Sequence, residues 1–264
     1  MKNNLEDLER LGYTVVKNFL NEIEIQQLSL LYEKSLHTMG VNKNYKAVFG
    51  VEPHAISNQL NQLLTRINET TNIKSDRSGK GSLFLPTPGV NFPWHQDHES
   101  YYIYQSAYNV LIVWIPLIKP NSNSTGLSVI PFDRLEKTKS LELFKYKGAQ
   151  RILDHTGEFK LYDDETGEVY EIDFNPNDLA VNVESNIGDA VILRGYCLHK
   201  TQDNIDERLA VSIRCYQSEG VVKRDIFYSG CEHKHQMIDN SQMYKNIKAK
   251  YQEKEILTIR ELLS

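Results

Sequence analysis

Ile23, Leu28, Leu31 and Leu36 recur at near-helical spacing, and Asn21-Glu22-Ile23-Glu24 opens the run with a capping residue and an early acid. A helix is expected there. A second is expected from Ile56 to about Thr70, with Leu60, Leu63, Leu64 and Ile67 on one face. From Gly79 to Gln217 the period shortens. Strands are expected near Gly81–Leu85, Trp94–Asp97, Tyr108–Leu117, Leu127–Pro131, Val169–Asp173, Ala180–Val183, Ala190–His199 and Leu209–Gln217. Many short strands punctuated by Gly, Pro and Asn predict a sandwich or barrel. A last helix is expected over Gln242 to Leu263. Residues 134–188 are the least regular, with turns at Asp154–Glu158 and Asp163–Gly167 marking an insertion. Such an insertion either shapes specificity or is a plain hairpin. The pattern predicts one mainly β domain over residues 1–264, with its core at about 79–217, a helical region at 1–75 and a terminal helix at about 240–263.

Composition narrows the function classes. The chain has 264 residues, 40% hydrophobic and 25% charged, enough to bury a sizeable core. Its formal net charge of −5 supplies no positive field for nucleic acid. The lysines of Lys245–Lys250 are offset by Glu253 and Glu255, as on a solvated helix face. Cys197, Cys215 and Cys231 form no CxxC pair, and an odd, sparse count suits a reducing compartment. The opening MKNNLEDLERLGY carries acids where a signal peptide needs an apolar core. Val110–Ile118, the longest apolar run, contains Pro116 and is too short to span a bilayer. A cytosolic protein without membrane or nucleic-acid partners is expected.

The candidate chemistry begins at Trp94-His95-Gln96-Asp97. On an extended strand His95 and Asp97 share a face about 7 Å apart along the chain, so both can grip one divalent cation. Two such ligands bind poorly. A third is offered by Gly188–His199, whose alternation puts Val191, Leu193, Gly195, Cys197 and His199 on one face, apolar until the histidine. Two histidines and a carboxylate form the facial triad of non-haem Fe(II) oxygenases, which leaves coordination positions open for an oxoacid and O2. Zinc offers no redox chemistry for reducing O2. Arg208 opens a strand that places it beside Ala210 and Ser212. A guanidinium there suits the distal carboxylate of 2-oxoglutarate, while Asp206 and Glu207 offer it ordinary surface partners instead.

With those residues in place, the sequence resembles the phytanoyl-CoA dioxygenase (PhyH) family of Fe(II)- and 2-oxoglutarate-dependent oxygenases. Gly12–Leu20 looks like the family's opening strand, and Trp94-His95-Gln96-Asp97 like its metal motif. Trp114 followed by Gly126–Pro131, and Gly188-Asp189 through His199 with Asn204 and Arg208, complete the likeness over roughly residues 10–217. The resemblance implies a double-stranded β-helix, or jelly roll, with the metal at one mouth and Trp114 and Thr201 near the oxoacid. It also implies hydroxylation of a C–H bond of a small molecule, with release of succinate and CO2. Phe132-Asp133-Arg134 replaces the family's G-S-H, Thr125-Gly126 replaces its Asn-Gly, and the interval from His199 to Arg208 is about two residues short. Asp97 is present, which argues against the halogenating relatives.

Other readings stay open on the sequence. A jelly-roll metalloenzyme without an oxoacid would need no Arg208, and a metabolite-binding sandwich would consume no oxygen. Cys231, His233 and His235 alternate as zinc ligands can, but no fourth ligand is near. His98 is a candidate base or a plain rim residue, and Tyr101, Tyr102, Tyr104 and Tyr108 either line the substrate mouth or fill a core.

Overall fold

Alternation along the long strands sorts side chains into two cores, one on each face of a large antiparallel sheet. The computed structural model describes residues 4–35, 40–41, 45–86, 92–144, 150–155, 157–202, 208–232, 234–235 and 242–264. Its strands are β1 (Tyr13–Val16), β2 (Gly40–Val41), β3 (Tyr45–Val51), β4 (Arg77–Pro86), β5 (Leu111–Ile118), β6 (Leu127–Val129), β7 (Gln150–His155), β8 (Glu158–Asp163), β9 (Val169–Glu171), β10 (Val181–Asn182), β11 (Ala190–Arg194), β12 (His199–Thr201), β13 (Leu209–Tyr216), β14 (Val221–Lys223) and β15 (Ile256–Thr258). The helices are α1 (Asp7–Arg10), α2 (Glu22–Ser35), α3 (Ser57–Thr70), α4 (His98–Tyr102), α5 (Phe132–Leu135), α6 (Pro176–Leu179), α7 (Arg224–Tyr228), α8 (Gln242–Glu253) and α9 (Ile259–Leu263).

The large sheet runs β1-β11-β5-β13-β4-β3-β2, and a smaller sheet runs β10-β6-β12. On the outer face of the large sheet, Leu111, Val113, Ile115, Ile192, Val211 and Ile213 meet Leu28 of α2 and Leu60, Leu63, Leu64 and Ile67 of α3. On its inner face, Ile112, Trp114, Val191, Leu193 and Ala210 meet Leu127, Val129, Val183 and Cys197. Each buried Leu or Ile contributes roughly 1.5–3 kcal/mol, so these two layers dominate the fold's stability. The arrangement is a jelly roll with flanking helices. Asn21 Oδ1 accepts from the Glu24 amide at 3.0 Å and Glu24 Oε2 from the Asn21 amide at 2.8 Å, the reciprocal cap that the sequence predicts for α2.

Three expected elements differ. The strand expected over Ala190–His199 is two strands in different sheets, β11 and β12, with the chain crossing between them at Gly195. A Cβ at Gly195 would lie 2.7 Å from Ser100 Oγ and 2.8 Å from the Ala107 carbonyl oxygen, so the crossing has no room for a side chain. Gly195→Ala is therefore expected to destabilise the protein by about 1–3 kcal/mol. An unshifted denaturant midpoint would contradict this close approach. The helix expected over 242–263 stops at Glu253, pairs β15 with β14, and restarts as α9. Thr258 causes the restart: its Oγ1 accepts from the Glu261 amide at 3.2 Å while Glu261 Oε2 accepts from the Thr258 amide at 2.8 Å. Trp94–Asp97 is extended, but His95 alone pairs, bridging His199 on one side and Arg151 on the other.

The insertion at 134–188 thus has a defined place. Its strands pair in the order β7-β8-β9 and join the small sheet through His95. Ile152 and Leu161 project to the far side of that sheet, where they pack with Trp94, Ile130, Phe144 and Leu198. Among the described residues no helix is long and apolar enough to cross a membrane.

Candidate metal centre

His95 and His199 are directly opposed, exchanging backbone bonds of 2.9 Å and 3.0 Å, so their side chains emerge together on one face. Val129, the next partner of His199, lies in the core between the sheets, which makes that face the inner one. Asp97 follows two residues on, at the amino end of α4, with extended backbone that keeps its carboxylate on the same side as His95. The three side chains converge. One ligand atom from each of His95, Asp97 and His199 lies within 4.8 Å of the others.

Hydrogen bonding fixes both imidazoles. The His95 Nδ1 donates to the Pro93 carbonyl at 2.7 Å and the His199 Nδ1 to the Cys197 carbonyl at 2.9 Å, since a carbonyl can only accept. Each Nε2 is then a lone-pair donor to a metal, held by the outer contact that metal-ligating histidines use. Asp97 Oδ1 stands 3.5 Å from His95 Nε2 and 3.7 Å from His199 Nε2. Those gaps are long for hydrogen bonds, but one cation with bonds of roughly 2.1 Å can bridge them. The donor set fits a divalent cation.

Burial and charge shape the site. Burial together with repulsion from His95 pushes the His199 imidazole down to about 4, so it stays neutral and ready to ligate. Burial also pulls His95 down, but the adjacent Asp97 carboxylate outweighs it and raises that imidazole. Asp97 is opposed by burial, yet Arg214 and the two imidazoles hold it well below the usual carboxylate range.

Arg214 is the residue that the sequence pattern did not single out. Its Nη2 lies 2.5 Å from Asp97 Oδ2 and 3.8 Å from Glu99 Oε2, and its Nη1 donates to Ser212 Oγ at 2.5 Å. The strand alternation that places Arg208, Ala210 and Ser212 on the inner face carries on to Arg214, and that extension was the available signal. By holding Oδ2, the guanidinium leaves Oδ1 to face the imidazoles. Arg214→Gln is expected to weaken binding of Co(II) by about 10- to 100-fold, the usual effect of losing a partner of a metal ligand. Titration by the visible absorbance of Co(II) reads this, and an unchanged affinity would remove Arg214 from the site.

Arg208 occupies a second charged position. It is 3% exposed, its Nη1 donates to the carbonyls of Thr125 at 3.1 Å and Gly126 at 3.0 Å, and its Nε is buried without a partner among the described residues. No carboxylate among the described residues pairs with it, and burial alone pushes its guanidinium down to about 10. Asn204, Asp206 and Glu207 lie outside the described residues. The Trp114 indole lies 5.8 Å from Arg208 Cζ. Thr201 is one stride along β12 from His199 and opposite Leu127, with its Oγ1 accepting from the Phe92 amide at 2.7 Å. Thr125, where the family carries Asn, has φ of +54°, a left-handed conformation that Asn and Gly adopt most readily.

The other candidates lie elsewhere. His98 bonds the Tyr244 hydroxyl. Tyr104 stacks on Tyr216, with ring centroids 5.1 Å apart. Tyr101, Tyr102 and Tyr108 line a cavity of about 580 Å³ that includes Glu165 and Asp225 and no member of the triad. Cys231 Sγ lies 3.2 Å from the Tyr162 hydroxyl, and His235 Nε2 lies 3.1 Å from the Gly230 carbonyl. His233 is outside the described residues, and among the described ones the group able to hold a metal is His95, Asp97 and His199.

Fold and site together define a jelly-roll protein with a His-Asp-His group, buried at Asp97 and His199 and half-buried at His95, able to hold one cation. The family model for phytanoyl-CoA dioxygenase (PhyH) matches residues 30–209, and the chain belongs to that family, whose members are iron- and 2-oxoglutarate-dependent oxygenases. No curated protein sequence matches it. Solved structures share the fold at low identity. The non-heme alpha ketoglutarate dependent carbocyclase SnoK from nogalamycin biosynthesis superposes with a TM-score of 0.59 at 13% identity, covering 90% of each chain. A Pseudomonas putida prolyl-4-hydroxylase gives 0.53 at 13%, covering 81% of this chain and 96% of that one. HygX from Streptomyces hygroscopicus, solved with nickel and 2-oxoglutarate, gives 0.51 at 12%, covering 82% and 87%.

Proposed function

We propose that this protein is a Fe(II)- and 2-oxoglutarate-dependent dioxygenase that hydroxylates a C–H bond of a small-molecule substrate. His95, Asp97 and His199 are its metal ligands, and Arg208 anchors the distal carboxylate of 2-oxoglutarate, with Trp114 and Thr201 beside it. The observation that carries this reading is the pairing of a cation-shaped triad with a buried guanidinium that no carboxylate among the described residues compensates. Burying an unpaired charge is costly, so Arg208 is a position awaiting an anion. An oxoacid-free metalloenzyme would have no use for it.

When bound, iron with 2-oxoglutarate supplies the oxidising power: one atom of O2 enters succinate, the other the substrate, and CO2 leaves. The protein's own part is placement. The Nδ1 contacts hold both Nε2 atoms inward, Arg214 turns Asp97, and Arg208 orients the oxoacid along the strands from the triad toward Gly126. The inner-face apolar layer of Trp114, Val129 and Leu193 excludes water from that line. We place residues 1–264 in one oxygenase domain working in the cytoplasm, because α2 and α3 cover the sheet that carries the site and the sparse cysteines are free.

Anaerobic reconstitution with Fe(II) and 2-oxoglutarate, followed by O2 and a metabolite screen, tests the proposal through succinate release. Succinate that requires iron, oxygen and a particular metabolite is expected. Succinate that never appears, under any substrate, would end this reading.

A further inference from the structure

Across the small sheet, Val129, His199, His95, Arg151 and Tyr162 are successive cross-strand partners, so all five side chains share the inner face. The His95–Arg151 pair is flanked by backbone bonds from Gln96 to Gln150 and from Ile152 to Trp94, both 2.9 Å, which makes it the closer, non-hydrogen-bonded kind. Their Cβ atoms are therefore about 4.5–5.5 Å apart. The insertion strands continue the wall on which the triad stands.

This wall is the open side of the site. The His95 side chain is 25% exposed, against 9% for Asp97 and 8% for His199, and Arg151 beside it is 26% exposed. The oxoacid line runs along the strands, from His199 past Thr201 to Gly126 and Arg208. Arg151 lies across the strands, in the direction which that line leaves vacant.

Arg151 is held ready for a ligand. Its Cζ sits 4.7 Å from the centre of the Tyr162 ring, and its Nη2 is 3.2 Å from Asp164 Oδ1. Tyr162 is itself fixed, its hydroxyl 3.2 Å from Cys231 Sγ, and the Cys231 amide donates to the Asp164 carbonyl at 2.8 Å. A guanidinium carries five N–H donors and no acceptor, and Asp164 is the one carboxylate that meets this one among the described residues. The remaining edge fits an acceptor with two oxygens. Asp164 already meets this guanidinium and 2-oxoglutarate is a dianion, so a singly charged carboxylate fits better than a phosphate monoester.

We propose that Arg151, presented by Tyr162, binds the carboxylate of the primary substrate in competition with Asp164, so the substrate is a small organic acid. The inference rests on the dioxygenase reading and gives that site a substrate class. One to two strand spacings separate the guanidinium from the strand of His95, so the oxidised carbon lies roughly 5–10 Å from the carboxylate.

The test uses the anaerobic Fe(II)–2-oxoglutarate holoenzyme and the shift of its visible charge-transfer band on titration. Probes are aliphatic, aromatic and amino-acid carboxylates, each with its primary amide and a phosphate monoester of similar size. In the wild type, at least one carboxylate is expected to bind tenfold or more tightly than its amide and its phosphate counterpart. Arg151→Gln should erase that preference while the band itself persists. Asp164→Asn, which removes the competing carboxylate, should tighten carboxylate binding several-fold, a gain that a merely structural ion pair would not give. The proposal is overturned by a wild type indifferent to carboxylates, by a preference that survives Arg151→Gln, by tighter binding of the phosphate monoesters, or by Asp164→Asn weakening the carboxylate. Absence of the band from the wild type would instead sink the dioxygenase reading itself.

Discussion

Asp97→Ala is expected to abolish oxygen-dependent succinate formation. The carboxylate is the sole anionic member of the triad, it sits between two imidazoles at 3.5 Å and 3.7 Å, and it pairs with Arg214 at 2.5 Å. Removing it leaves Arg214 buried without its nearest counter-charge and leaves two neutral ligands for the cation. Losing a mere outer contact costs about 10- to 100-fold in metal affinity, so losing the ligand itself should exceed that range. Calorimetric titration with Co(II) or Mn(II) separates this effect from unfolding, provided circular dichroism of the variant matches the wild type. Succinate formation at the wild-type rate would show that the iron is held elsewhere.

Arg208→Ala is expected to act on a different parameter. The guanidinium lies away from the triad, bonded to the Thr125 and Gly126 carbonyls, so metal affinity should hold while the 2-oxoglutarate requirement rises. Truncating one partner of a buried, charge-assisted pair costs about 2–5 kcal/mol, or roughly 30- to several-thousand-fold in affinity. The variant is expected to gain stability without ligand, because no carboxylate among the described residues sits beside this buried cation. A thermal unfolding series with and without 2-oxoglutarate reads both signs. An unchanged oxoacid requirement would assign that carboxylate to another residue.

Much of this site was legible because period-two alternation and residue chemistry coincide there. His95 and Asp97 share a face by spacing alone, and His199 ends an apolar inward set whose members Val191, Leu193 and Cys197 do lie in the inner core. Alternation could not show that the chain changes sheets at Gly195, because the inward parity survives the crossing. Arg214 was hidden for a related reason: a cation at the far end of a strand reads as a surface residue until its acid, 117 positions earlier in the chain, is brought against it. The insertion was harder still. Strands β7 and β8 each bury a single large aliphatic side chain, Ile152 and Leu161, among Arg151, Asp154, Glu158 and Lys160. So short an apolar signal does not rise above a turn-rich loop, and the helix break near Lys254 was masked by apolar residues that suit either element.

The hairpin that widens the small sheet joins the strand of His95 through three backbone positions, Trp94 to Gln96, and adds no member of the triad. In the proposed enzyme, recognition and oxidation are thus built from separable stretches of chain that share a seam three residues wide. Such a seam lets mutation rewrite what is captured while the machinery that burns the oxoacid stays untouched. It also means that any tilt of the hairpin is delivered, undiluted, to His95, a proposed iron ligand.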